Sequence, residues 1–167
     1  MKRRSNTKAP HDPHVLYLDE DVSGKVFASY LTEANLVVRQ YETLLRKKSK
    51  TPDSTVIEQA SKANWVLVTT DKRMESEWTD DIIACRAKVI LLTDSQGGPI
   101  NWAAALICGR TAWVRTLLDH PTEPLTMKVN SGGSVIKFAG AEELIKRRDR
   151  ILTSAIIRSK KHSDWKA

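Results

Sequence analysis

Short apolar runs alternate with stretches of helical periodicity along most of this chain. Val15 to Leu18 reads as a strand, and Val22, Val26, Phe27, Tyr30 and Leu31 then recur at helical spacing over 22–34. A second short strand, "NLVV" (35–38), precedes a polar stretch that ends in the basic cluster "RKKSK". The next segment, "TPDSTVIEQASKA", carries helix-start chemistry: Thr51 as N-cap, Pro52 at the first helical position and Asp53 in the first turn. "WVLVT" (65–69) and "KVILLT" (88–93) are continuous apolar runs, the pattern of strands covered on both faces, with a short polar helix predicted near 74–85. One long helix is predicted over 99–119. "LTMKV" and "SVIKF" then read as a hairpin around Gly132 and Gly133, and a basic helix follows over 141–160. This alternation predicts an α/β domain with a largely parallel sheet.

Ligands of open parallel sheets gather at the carboxyl ends of the strands. Acids fall at those ends here. Asp19, Glu20 and Asp21 follow the first strand, Asp71 follows the third in "VLVTTDKRM", and Asp94 follows the fourth in "ILLTDS". Asp53 opens a helix whose start belongs at the same edge. Each acid also has a purely structural use, because a carboxylate near a helix N-terminus satisfies free N–H groups and the dipole. Asp94 sits in good turn chemistry, Asp80 and Asp81 precede a strand and read as a solvated helix face, and Thr69 and Thr70 read as β-formers or, as the second reading, as groups that position a water or Asp71. Crowded carboxylates need protons or cations to neutralise them, and an oxygen-only donor set selects Mg²⁺ or Mn²⁺. A site of that kind suits phosphodiester chemistry.

Charge adds a second layer. The chain has 167 residues and a net charge of +7, the size of one domain. Lys2, Arg3, Arg4 and Lys8 against Asp12 give residues 1–14 a charge of +3. Eight Lys or Arg against Asp149 and Asp164 give 146–167 a charge of +6, which leaves −2 for the body. An acidic body with basic ends fits a polyanionic partner such as RNA or DNA. Arg46, Lys47, Lys48, Lys50, Lys72 and Arg73 lie near enough in sequence to the acids to hold a phosphate backbone, although charge runs are more often solvated loops. The N-terminus lacks the apolar stretch of a secretory signal, no run is long enough to span a membrane, and Cys85 and Cys108 lack metal-site spacing. A cytoplasmic location is the expectation. The predicted division is a flexible basic tail (1–14), one domain (15–160) and a flexible tail (161–167).

The string "LDEDVS…TPDSTVIEQASKANWVLVTTDKRM" resembles the PIN-like domains, in particular a compact bacterial branch that begins "LDEN/LDED". That branch continues with an Asp-led helix and a "V-L-[VL]-T-x-D" strand end. The wider superfamily includes the VapC-type toxin ribonucleases. The resemblance covers 15 to about 95 and implies a three-layer α/β/α fold, dependence on Mg²⁺ or Mn²⁺, endoribonuclease activity and a cognate antitoxin. It makes Asp19, Asp53 and Asp71 the metal-binding acids. Two features depart from the pattern. An early-helix Glu is missing, with Glu20, Asp21 or Glu42 as substitutes, and the usual "TxDxDF" is "TTDKRME", which places Arg73 and Met74 where Asp and Phe stand. The hairpin and the last helix lie beyond the matched motifs and are candidates for antitoxin binding or homodimer formation.

The expected function is therefore metal-dependent hydrolysis of RNA by the toxin half of a toxin–antitoxin pair. Two rival readings use the same residues. One is a non-catalytic PIN-like module that binds RNA or protein. The other is a phosphatase resembling the haloacid dehalogenase group, with Asp19 as nucleophile and Asp21 as acid/base, because "LDEDVS" also fits D-x-D-x-[ST] after a strand.

Overall fold

The computed structural model describes residues 14–41, 53–94 and 96–164, with side chains as far as Arg158. Their strands are β1 (Val15–Leu18), β2 (Val37–Gln40), β3 (Val66–Thr69), β4 (Lys88–Leu92), β5 (Leu125–Val129) and β6 (Val135–Ala139). They form one sheet in the order β2-β1-β3-β4-β5-β6. The first five run parallel, and β6 returns antiparallel beside β5. The helices are α1 (Lys25–Glu33), α2 (Asp53–Lys62), α3 (Thr79–Cys85), α4 (Gly98–Cys108), α5 (Arg110–Asp119) and α6 (Ala141–Asp164), with a 3-10 turn at Lys72–Glu75.

Alternation along each strand divides the core into two halves, because successive side chains point to opposite faces. On one face Leu16, Leu18, Val66, Val68, Ile90 and Leu92 meet Phe27 and Leu31 of α1, Leu106 of α4 and Trp113 of α5. On the other, Tyr17, Leu67 and Val89 meet Val56 and Ile57 of α2, Ile82 of α3 and Leu144 of α6. The result is the expected three-layer α/β/α arrangement with a mainly parallel sheet, a C-terminal hairpin and a helix. Among the described residues no helix is long and apolar enough to cross a membrane.

Several boundaries move for local reasons. The first helix begins at Lys25 rather than Val22, because Val22 N–H and Ser23 N–H close a turn onto Asp19 O and Glu20 O. Asn35 takes a left-handed conformation (φ 60°), which ends the first helix and delays β2 to Val37. The segment predicted as a helix near 74–85 divides into the 3-10 turn and α3. Thr51 and Pro52, the expected helix start, lie outside the described residues, and α2 is described from Asp53. The final helix continues past residue 160 to Asp164.

The largest departure is at 99–119, where one predicted helix is two, broken at Gly109. A Cβ on Gly109 would lie 2.1 Å from Gly133 O, and one on Gly133 would lie 2.6 Å from Gly109 N. Gly133 also sits at φ 82°, where its N–H closes the hairpin turn onto Asn130 O at 2.9 Å. Two glycines thus let the hairpin turn press backbone to backbone against the helix junction. Trp113 closes the break, burying its ring while its Nε1–H donates to Leu106 O at 2.8 Å.

Candidate functional site

The strand order places the two connections out of β1 and β3 on opposite faces of the sheet, with α1 on one and the 3-10 turn and α3 on the other. The chain therefore diverges between these two strand ends, the place where open parallel sheets gather ligands. Asp19 stands at this point. Its N–H donates to Val68 O at 3.0 Å, prolonging the β1–β3 ladder by one residue, so its side chain is only 6% exposed. Oδ1 accepts the Glu20 N–H at 2.8 Å, and Oδ2 accepts the Thr69 hydroxyl at 3.0 Å.

Burial pushes the Asp19 carboxyl up to about 6, because a low-dielectric setting penalises the charged form. The Glu20 N–H and the Thr69 hydroxyl pull in the opposite direction, while the charges of Asp21 and Asp53 add to the rise. That coupling places Asp53, at the first turn of α2, within electrostatic reach of Asp19. Its position also favours the α2 dipole. Asp21 is exposed and does not cap the next helix: α1 has Gly24 at its N-cap and no side-chain cap. Glu20 is exposed as well.

Asp71 is tied to the same point through Thr69, whose Oγ1 accepts the Asp71 N–H at 3.0 Å while donating to Asp19. Thr69 is fully buried and bridges two strand ends, a role beyond that of the β-former it resembles in sequence. The Asp71 carboxylate caps the 3-10 turn, with Oδ1 accepting the Arg73 N–H at 2.9 Å. Arg73 then folds back on it: Nε lies 3.0 Å from each oxygen and a terminal nitrogen 2.6 Å from Oδ2. This pairing raises the Arg73 pKa further above its ordinary value. Met74 is buried in the core.

The structure therefore brings Asp19, Asp53, Asp71 and Asp21 to one sheet edge and links two of them through a buried hydroxyl. Among the described residues no three Asp, Glu, His or Cys side chains converge closely enough to hold a metal ion. The donor chemistry, carboxylates with a threonine hydroxyl beside them, fits a hard divalent cation. Asp71 would have to exchange Arg73 for it. Asp94 belongs to its own turn, where its carbonyl accepts Trp102 Nε1–H at 2.6 Å and its carboxylate packs on Gly97. Asp80 and Asp81 lie in the first turn of α3, with Asp80 4.0 Å from Arg148.

Of the expected nucleic-acid contacts, Lys72 is exposed beside Asp71, and Arg73 is paired with it. Arg46, Lys47, Lys48 and Lys50 lie outside the described residues, as does Glu42. Sequence reasoning missed the Thr69–Asp19 bond and the Arg73–Asp71 pair, while Thr69 holding Asp71 was one of its two readings. The Arg73–Asp71 pair had a signal, since an Asp followed two residues later by Arg at a turn has geometry for self-pairing. Comparison of this chain with protein-family models, curated proteins and solved structures returns no match.

Proposed function

We propose that this chain is a metal-dependent endoribonuclease of the PIN-like kind, acting on single-stranded RNA as the toxin of a toxin–antitoxin pair. The observation that carries this reading is the buried Asp19 where the chain diverges between β1 and β3, fixed by Thr69 and flanked by Asp53 and Asp71. Asp19, Asp53 and Asp71 would hold Mg²⁺ or Mn²⁺, with Glu20 and Asp21 at the margin. A bound ion supplies an acidified water and neutralises charge on a phosphoryl group. Thr69 fixes the orientation of the Asp19 carboxylate. Lys72 offers a cation to an RNA phosphate next to the acids.

The test is RNA cleavage with Mn²⁺ by the wild type, Asp19→Ala and Asp71→Ala. Loss of cleavage in both variants is expected, and equal activity in all three overturns the reading. Co-expression with a cognate antitoxin should relieve any growth arrest the wild type causes.

One observation favours the non-catalytic module instead. The Arg73 guanidinium already neutralises Asp71, which lessens the need for a cation there. Thermal stability separates the two, because a ligand of the native state must raise it. A shift with Mn²⁺ that vanishes in Asp19→Asn supports the metal site, and no shift in the wild type supports the module.

A further inference from the structure

The last helix outruns the domain it belongs to. With 24 residues it is roughly 36 Å long, whereas a five-residue strand spans about 17 Å. Its start is anchored: Leu144 is fully buried, Arg147 reaches Glu75 at 3.3 Å and Arg148 approaches Asp80 at 4.0 Å. Glu75 and Asp80 both follow β3, at the carboxyl edge of the sheet, so the helix is already passing that edge by its second turn. From Ile151 to Arg158 every residue is exposed.

A helix that met only water beyond that edge would have no use for large apolar side chains. This one exposes Leu152 by 50% and Ile157 by 52%, with Ile151 at 39%. A groove of about 460 Å³ runs between this half of α6 and β6, floored by Ile151 and Ala155. Its rim carries Lys137, Arg147, Arg150 and Arg158 against the single carboxylate Glu143. Its apolar lining comes from Ile151 and Ala155, and the four cations around them suit an acidic partner.

We propose that this groove is a docking surface for an acidic amphipathic helix of a partner protein. Apolar anchors of such a helix would cover Ile151 and Ala155, and its carboxylates would take charge-assisted hydrogen bonds from the arginine rim. Charge disfavours the other occupants. Antiparallel pairing of two copies about Ser154 would set Arg150 against Arg158, and residues 1–13 and 42–52 of the chain itself are both net basic. The groove offers no aromatic side chain for stacking a base, as single-stranded nucleic acid would use. This surface contains none of Asp19, Asp53 and Asp71, and none of the variants below replaces one of them.

The full chain is titrated with a labelled synthetic helix of about 20 residues, Leu at helical spacing and Glu elsewhere. Controls are a scrambled peptide of the same composition and an oligouridylate, with sedimentation of the chain alone. Binding of the acidic amphipathic peptide is expected, weakened at least about tenfold by Ile151→Ser and by Arg158→Glu. Leu118→Ser, which changes an exposed leucine on α5, should leave it intact. No binding, equal binding of the scrambled peptide, oligouridylate binding lost in both groove variants, or a dimer dispersed by Ile151→Ser would each overturn the proposal. RNA cleavage should be unchanged in the groove variants, which separates this result from the fate of the nuclease reading.

Discussion

Thr69 donates its hydroxyl to Asp19 across 3.0 Å and accepts the Asp71 N–H across another 3.0 Å. One oxygen thereby sets the position of two acids that belong to different strand ends. Replacing it with Val keeps the shape and strands a buried carboxylate oxygen and a backbone N–H. We expect Thr69→Val to cost about 1–3 kcal/mol in denaturant unfolding and to lower any Mn²⁺-dependent cleavage. Thr69→Ser, which keeps the hydroxyl, should recover most of both.

Asp19 works against the fold when ionised. Its pKa rises from the ordinary carboxylate range to about 6 on folding, so its contribution to stability is fully present below the unfolded value. That contribution is lost as pH rises through about 6. Asp19→Asn should therefore be more stable than wild type at pH 7–8 in chelator, by up to roughly 3 kcal/mol. The advantage should shrink towards pH 4, where both proteins carry a neutral group. Thermal melts across that pH range check the sign, and added Mn²⁺ should narrow the gap at pH 7–8 by stabilising only the wild type.

Arg73 competes for Asp71. If a cation is to share that carboxylate, removing the guanidinium should ease its entry. Arg73→Gln is expected to lower the Mn²⁺ concentration that gives half of the thermal stabilisation. Unchanged or weaker Mn²⁺ response would show that Arg73 supports the site rather than blocking it.

These two side chains also mark where sequence stops being informative. The common edge of Asp19, Asp53 and Asp71 was legible because fully apolar runs identify parallel strands, and parallel strands put their carboxyl ends together. Thr69 was not, since a threonine closing a β-run looks the same whether or not a buried acid from another strand waits beside it. The break inside 99–119 was hidden for a related reason. A single glycine is tolerated in a helix, and only the arrival of Gly133, brought by the hairpin, makes Gly109 a junction.

That junction gives a direct test. Gly109→Ala would set a methyl 2.1 Å from Gly133 O, a distance no side-chain rotation relieves. A loss of 2 kcal/mol or more is expected from chemical unfolding, on the order of other severe packing faults. Gly132→Ala, where a Cβ has its nearest neighbour at 3.5 Å, should cost far less.

Asp19 and Thr69 are separated by fifty residues, and α1, β2 and α2 lie between them. No local segment can bring the pair together, because β1 meets β3 only after the chain has crossed from one face of the sheet to the other. The pairing is thus a long-range product of folding rather than a loop that forms by itself, and it must first offset the entropy of closing the chain between the two residues. The Asp19 N–H, held on Val68 O, should exchange with solvent only when the central strands separate. A partly folded chain would carry all of the acids and none of the site, so the chemistry of this edge is switched on by completion of the sheet itself.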